Sequence, residues 1–143
     1  MINFNDVNDV NKSFEKGWHK IIVTDCLEQY KPERQRNEIV IKFVNSFGQK
    51  WSKSLYDNSY AKKIEWLKEF VSKTDITSKE FESFEYSTLI GKTTWIFVET
   101  VEFENKKGGK ISYKDFNLFK MSKQTPEGQE DVKVVLPQED EPF

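Results

Sequence analysis

The stretch Glu38–Tyr56, EIVIKFVNSFGQKWSKSLY, decides the fold. Its first arm alternates, with Ile39, Ile41 and Phe43 on one side and Glu38, Val40, Lys42 and Val44 on the other. A period of two belongs to a strand with one face in a core. Asn45, Ser46 and Gly48 then supply turn chemistry, glycine taking positive φ at no steric cost. The second arm sets Trp51, Lys53 and Leu55 against Lys50, Ser52, Ser54 and Tyr56. The stretch reads as a β-hairpin whose outward side mixes rings with lysines, a surface on which bases stack and phosphates are neutralised.

Working outward, WHKIIVTDCLEQY (18–30) is a β-branched strand with His19, Ile21, Val23, Asp25 and Leu27 on one face and Trp18, Lys20, Ile22, Thr24 and Cys26 on the other. Pro32 cannot donate to a ladder and ends it, so Gln29–Asn37 is a connection. Tyr60 to Ser72 changes period: Tyr60, Ile64, Leu67 and Val71 form a helical stripe broadened by Trp66 and Phe70, with Lys62, Lys63, Glu65, Lys68 and Glu69 toward solvent. Asn58 or Ser59 suits its N-cap, and Thr77-x-x-Glu80 matches a capping box for a second helical turn. KTTWIFVETVEFE (92–104) and ISYKDFNLFKM (111–121) are strands four and five, joined by a lysine-rich loop, Glu104–Lys110. The element order is strand, strand, strand, helix, strand, strand. It predicts a mainly β chain of the OB-fold, a five-stranded Greek-key barrel with a helix between strands three and four. The same order also suits another small barrel or an open sheet with one helix.

Residues 1–121 are expected to form the domain, with 1–16 a loose arm anchored by Phe4 and Phe14, and 122–143 a disordered acidic tail. Val132–Leu136 (VKVVL) is the apolar exception there and a candidate to extend a sheet edge. With 15% aromatic residues in so polar a chain, some rings are expected outside the core, whereas Phe43, Trp66, Phe70, Trp95 and Phe97 are assigned to it by period. No apolar run suggests a signal peptide or a membrane span, so a cytoplasmic protein is expected.

The net charge of −2 conceals a division. Residues 127–143 carry six acids against Lys133 alone, a net of −5, which leaves residues 1–126 at +3. An OB-fold binds oligonucleotides across strands two and three, between the loops joining strands one and two and strands four and five. Each of those loops nets +2 here, so the cationic charge collects where such a site needs it. The candidate nucleic-acid residues are Tyr30, Lys31, Arg34, Arg36, Lys42, Phe47, Lys50, Trp51, Lys53, Tyr56, Lys106, Lys107, Lys110 and Tyr113. Trp51 and Tyr56 fall on opposite faces of strand three, and Trp51 with Lys53 is the preferred stacking pair. A strand edge left exposed is where a second copy would pair into a homodimer.

Little points to catalysis, cofactor or metal. His19 is the sole histidine and Cys26 the sole cysteine, both inside a strand and read as structural. Phosphate-loop, nucleophile-elbow and metal-ligand spacings are lacking. Scattered carboxylates such as Asp25, Asp57 and Asp115 leave a Mg²⁺ nuclease as a remote alternative.

The chain ends Glu139-Asp140-Glu141-Pro142-Phe143, an apolar ring and free carboxylate behind three acids, suited to a pocket with a basic rim. This ending resembles the acidic, Pro-Phe-terminated tip of bacterial-type single-stranded DNA-binding proteins. The body, including Leu89-Ile90-Gly91-Lys92 leading into strand four, is similar to small phage-encoded members with an OB-fold. The resemblance implies sequence-independent binding of single-stranded DNA in phage replication, recombination and repair. It also implies recruitment of replication and recombination proteins through Glu139–Phe143. Glu141 departs from the pattern, standing where such tips usually carry an apolar residue. The rival expectation is a protein-interaction module, such as a phage inhibitor of a host enzyme, that uses the barrel only as a scaffold.

Overall fold

The computed structural model describes residues 14–56 and 59–137. Among these, a five-stranded antiparallel sheet comprises β1 (Gly17–Lys31), β2 (Arg36–Asn45), β3 (Lys50–Leu55), β4 (Thr93–Glu104) and β5 (Lys110–Ser122). Two helices, α1 (Tyr60–Ser72) and α2 (Ser78–Glu82), and a 3-10 turn at Tyr86–Leu89 lie between β3 and β4. The strand order is β3-β2-β1-β4-β5, so β3 and β5 are the edges of an open sheet. Side chains bridge those edges: Lys53 Nζ on β3 donates to both carboxylate oxygens of Asp115 on β5 at 3.0 Å, and the Trp51 and Phe116 rings stand 5.8 Å apart.

The hairpin forms where its pattern places it, but β2 is buried on both faces rather than one, with Val40 and Val44 at 5% and 4% exposure. Ile39, Ile41 and Phe43 all enter the core, and Gly48 turns the chain with φ +78°, its N–H donating to the Asn45 carbonyl. Asn45 completes the turn with its side chain, Oδ1 accepting from the N–H groups of Phe47 and Gln49, both at 3.0 Å. Behind it sits His19. Its Nε2–H donates to the Glu15 carbonyl at 2.6 Å and its Nδ1 faces Asn45 Nδ2 at 3.3 Å, the structural role its strand position suggested.

Strand one departs from simple alternation. Its pairing with β2 shifts between Val23 and Asp25, a bulge at Thr24. An extra residue reverses which side chains face inward. Ile21 and Val23 point into the core before the bulge and Cys26 after it, whereas unbroken alternation had put Asp25 and Leu27 on that face. The bulge is also an anchor: the Val23 N–H donates to the Lys92 carbonyl and the Gly91 N–H to the Val23 carbonyl, with Gly91 at φ +88° making the approach. Burial, and secondarily the charge of Asp25, push the Cys26 thiol up to about 12, so it behaves as an uncharged core group.

Helix α1 lays Leu67, Phe70 and Val71 in the core, with Ser59 as its N-cap accepting from the Lys62 N–H. The Thr77–Glu80 capping box starts α2, and Lys92 reaches Glu80 at 2.7 Å. Chiefly through that Lys92 contact, and then through Thr77, the Glu80 carboxyl is held down at about 2. Lys63 is a correction to the helical pattern: it is buried, because its Nζ reaches across to donate to the Asn37 carbonyl at 3.0 Å. One core assignment also changes. Trp95 is buried as expected, whereas Phe97 is half-buried at 5.2 Å from Trp18. The reason is register, since Ile96 and Val98 take the inward positions of β4. Trp66 is only partly buried, packed at the margin of the core and stacked on Phe70.

Phe14 is fully buried and anchors the start of the described chain, while Phe4 and the rest of 1–13 lie outside the described residues, as does Asn58. The segment 123–137 contains no strand, so Val132–Leu136 does not extend the sheet. It returns onto the body instead. Asp131 accepts from Lys20 Nζ and from Thr125 Oγ1, both at 3.0 Å, and the Lys20 contact above all holds its carboxyl below the usual range. Pro137 reaches a cavity beside β2 and β3.

Candidate nucleic-acid interface

Strand pairing fixes which side chains share a surface. Leu55 belongs to the core, so Lys53 and Trp51, two and four residues earlier, take the same inward-facing side of β3. Trp51 is half-buried there, its ring 5.3 Å from Phe14 and 5.6 Å from Phe43. Lys53 is engaged by Asp115 and stands near the Trp66 and Phe116 rings. Trp51, the preferred stacking ring, therefore shares the core-facing side of β3 with Lys53, yet it stays half-exposed and lines two cavities. The outward side of β2–β3 is built from Arg36, Glu38, Val40, Lys42 and Val44 on one strand and Lys50, Ser52, Ser54 and Tyr56 on the other, with Lys42 opposite Ser52 and Val44 opposite Lys50.

This face is cationic at both ends. Lys42 and Lys50 are exposed and have no ion-pair partner among the described residues. They line a cavity of about 550 Å³ with Thr24, Val44, Ser52 and Pro137, and Phe43 and Trp51 reach it as well. At the other end Arg36 holds its guanidinium 4.7 Å from the centroid of the Tyr56 ring, and Tyr56 is still 57% exposed. Tyr56 lies six residues on from Lys50, roughly 20 Å along an extended chain. Between them Val40 and Val44 are 5% and 4% exposed, so this side of β2 is itself largely covered, with Ser52 and Ser54 next to them on β3.

The basic connections frame the face unequally. The link between β1 and β2 is shorter than its composition suggested, a 3-10 turn at Pro32–Arg34 closed by Gln35 at φ 51°, because β1 runs to Lys31 and β2 starts at Arg36. Arg34 is exposed on it, with Lys31 half-buried and Tyr30 exposed at the end of β1. Lys106 and Lys107 are exposed in the β4–β5 turn, where Asn105 Oδ1 accepts from the N–H groups of Lys107 and Gly109, and Lys110 opens β5. Since β2 and β4 both run antiparallel to β1, the β4–β5 turn points the same way as the β2–β3 turn and opposite to the β1–β2 turn. The two basic turns thus stand at opposite ends of the strand direction, the β4–β5 turn lying beyond β1 from the β2–β3 pair. Phe47 projects from the β2–β3 turn at 77% exposure. Tyr113 is exposed on β5, 5.8 Å from the Phe103 ring, and lines a smaller cavity of about 370 Å³ with Trp51, Thr100, Ser112 and Lys114.

Arg34, Arg36 and Tyr56 are therefore brought together, as are Lys42 and Lys50, while Trp51 and Lys53 turn inward. Glu139–Phe143 lie outside the described residues. Sequence reasoning missed Glu38, which is 1% exposed beneath the arginines. The spacing Arg36-x-Glu38 within a strand was the available signal, as it places an acid beside a cation on one face. It also missed Lys114, which joins Trp51 at the smaller cavity.

A further cavity, of about 740 Å³, is elsewhere. Tyr60, Ile64, Leu67 and Val71 of α1 face Phe81, Phe84 and Tyr86 across it, and Lys68, Glu82 and Glu85 give it a mixed, mostly acidic border. Burial above all, then the charge of Glu28, pushes the Tyr86 hydroxyl up to about 12. This groove shares no residue with the cationic face and lacks the positive charge a polyanion needs. Among the described residues no group of three or more His, Cys, Asp or Glu is placed to hold a metal ion, and no helix is long and apolar enough to cross a membrane. No protein-family model matches the chain, and no curated protein matches its sequence.

Proposed function

We propose that the chain is a non-enzymatic protein that binds single-stranded DNA without sequence preference, lying across the outward face of β2 and β3. The open sheet reads as a partly open OB barrel whose gap falls between β3 and β5. One observation carries the reading: one side of the sheet offers Lys42 and Lys50, exposed and without an ion-pair partner among the described residues, and at its other end an exposed tyrosine backed by an arginine. Cations neutralise phosphates and exposed rings stack bases, neither of which demands a particular sequence. The acidic Pro-Phe ending supports a second role, capture of replication and recombination proteins during phage DNA metabolism, in the cytoplasm of the host.

Titration of a labelled oligo-dT by anisotropy at several salt concentrations tests this. Affinity is expected to fall linearly in log–log form as salt rises, since phosphate neutralisation releases counterions. Failure to bind at low salt refutes the reading. The apolar groove beside α1 favours a second reading, a protein-interaction module, which predicts no salt-dependent oligonucleotide binding at all.

A further inference from the structure

A strand position on the outward face is an odd place for a buried acid, yet Glu38 is 1% exposed. Its Oε1 lies 3.5 Å from Arg34 Nη1 and 3.8 Å from Arg36 Nη2. Its Oε2, like the buried Nε of Arg36, has no hydrogen-bond partner among the described residues. A buried carboxylate is costly unless charges nearby neutralise it, and the two arginines are those charges. The tie works both ways. A free surface arginine loses much rotamer freedom when it grips a ligand, and one already tethered loses less. Alternation puts Arg36, Glu38 and Tyr56 on one side of the sheet, so the tether also holds the guanidinium over the tyrosine ring.

We infer that Glu38 is the positioning residue of a nucleotide subsite in which Arg34 and Arg36 take a phosphate and the exposed part of the Tyr56 ring takes a base. The inference rests on the nucleic-acid reading above and names what orders one end of that face. Each guanidinium has five donors, so an arginine that spends one on Glu38 keeps others for phosphate oxygens. Charge counting gives the opposite sign: Glu38→Gln adds one positive charge and should tighten binding to a polyanion. Positioning requires that it weaken binding.

The test uses the full chain and fluorescein-labelled oligo-dT, with urea unfolding followed in parallel. Glu38→Gln is expected to weaken affinity roughly fivefold. That loss should vanish in an Arg34→Ala/Arg36→Ala background, because nothing remains there to position. A merely structural role would shift the unfolding midpoint and lower affinity alike in both backgrounds. Glu38→Asp keeps the charge with shorter reach and should lose less; it carries the same cycle if Glu38→Gln does not fold. Unchanged or tighter binding by a folded Glu38→Gln, or an equal loss without the arginines, overturns the inference. No oligo-dT binding by the unaltered protein overturns both readings, whereas binding that Tyr56→Ala weakens and Glu38→Gln leaves intact overturns this one alone.

Discussion

Replacing Tyr56 with alanine removes the exposed ring of the outward face while sparing the core. A base stacked on an aromatic side chain contributes about 1–3 kcal/mol, which at ~1.4 kcal/mol per tenfold is a loss of roughly fivefold to 150-fold in affinity for oligo-dT. Stability should change by no more than about 1 kcal/mol, since the contact given up is one exposed cation–π pair with Arg36. Trp51→Ala is the complementary perturbation. Fully buried tryptophans cost about 3–5 kcal/mol on truncation. Half that burial, with edge contacts to Phe14, Phe43 and Phe116, argues for roughly 2–4 kcal/mol here. At a urea slope of ~2 kcal/mol per molar the midpoint should fall by about 1–2 M. Far-UV circular dichroism reads the unfolding, and anisotropy at fixed low salt reads binding. A stable Trp51→Ala variant that fails to bind, beside a Tyr56→Ala variant that binds normally, would refute the assignment of faces.

Other outcomes follow from the same contacts. Deleting Glu139–Phe143 should spare or slightly tighten oligonucleotide binding, because it removes three acids and no described part of the interface; loss of binding on deletion would overturn the tail's assignment to partner proteins. A double-mutant cycle on Lys53 and Asp115, read by urea unfolding, should give a coupling of about 0.5–1 kcal/mol, and a value near zero would mean that the pair does not link the sheet edges. Cys26 should react with a thiol reagent only on unfolding. Above the ordinary thiol value of 9.0 the unfolded chain ionises this group while the folded one holds its proton up to about 12. The stability it contributes is therefore complete below pH 9.0 and declines as pH rises through that window, and Cys26→Ala should remove that component of the alkaline loss.

Much of the architecture was legible because periodicity reports burial directly. Ile39, Ile41 and Phe43 repeat at two and Leu67, Phe70 and Val71 at three and four, and both sets reach the core, whereas Tyr60 at the head of the helical stripe stays exposed. What alternation cannot carry is an inserted residue. Thr24 looks like any β-branched strand residue, yet as a bulge it moves Cys26 rather than Leu27 inward. The face of β3 was ambiguous for a different reason. Trp51 with Lys53 and Tyr56 with Lys50 are equally amphipathic by composition, and only the inward placement of Leu55 decides between them. Lys63 and Glu38 were misplaced or missed because a charged residue reads as solvent-facing until its partner, the Asn37 carbonyl or an arginine pair, is seen beside it.

The first strand changes neighbours midway: Gly17–Ile22 pairs with β4, and Ile21–Lys31 with β2. These two halves differ in how far the chain must travel to complete them. The β1–β2–β3 meander zips from turns of a few residues, whereas the rung joining Ile22 to Thr93 closes over the 70 residues from Val23 to Lys92. Loop-closure entropy grows with that separation, so the meander is expected to condense early and the β4–β5 half to dock onto it late. On a ribosome, the nascent chain would have its three-stranded half in hand before the residues that complete the other side had been synthesised.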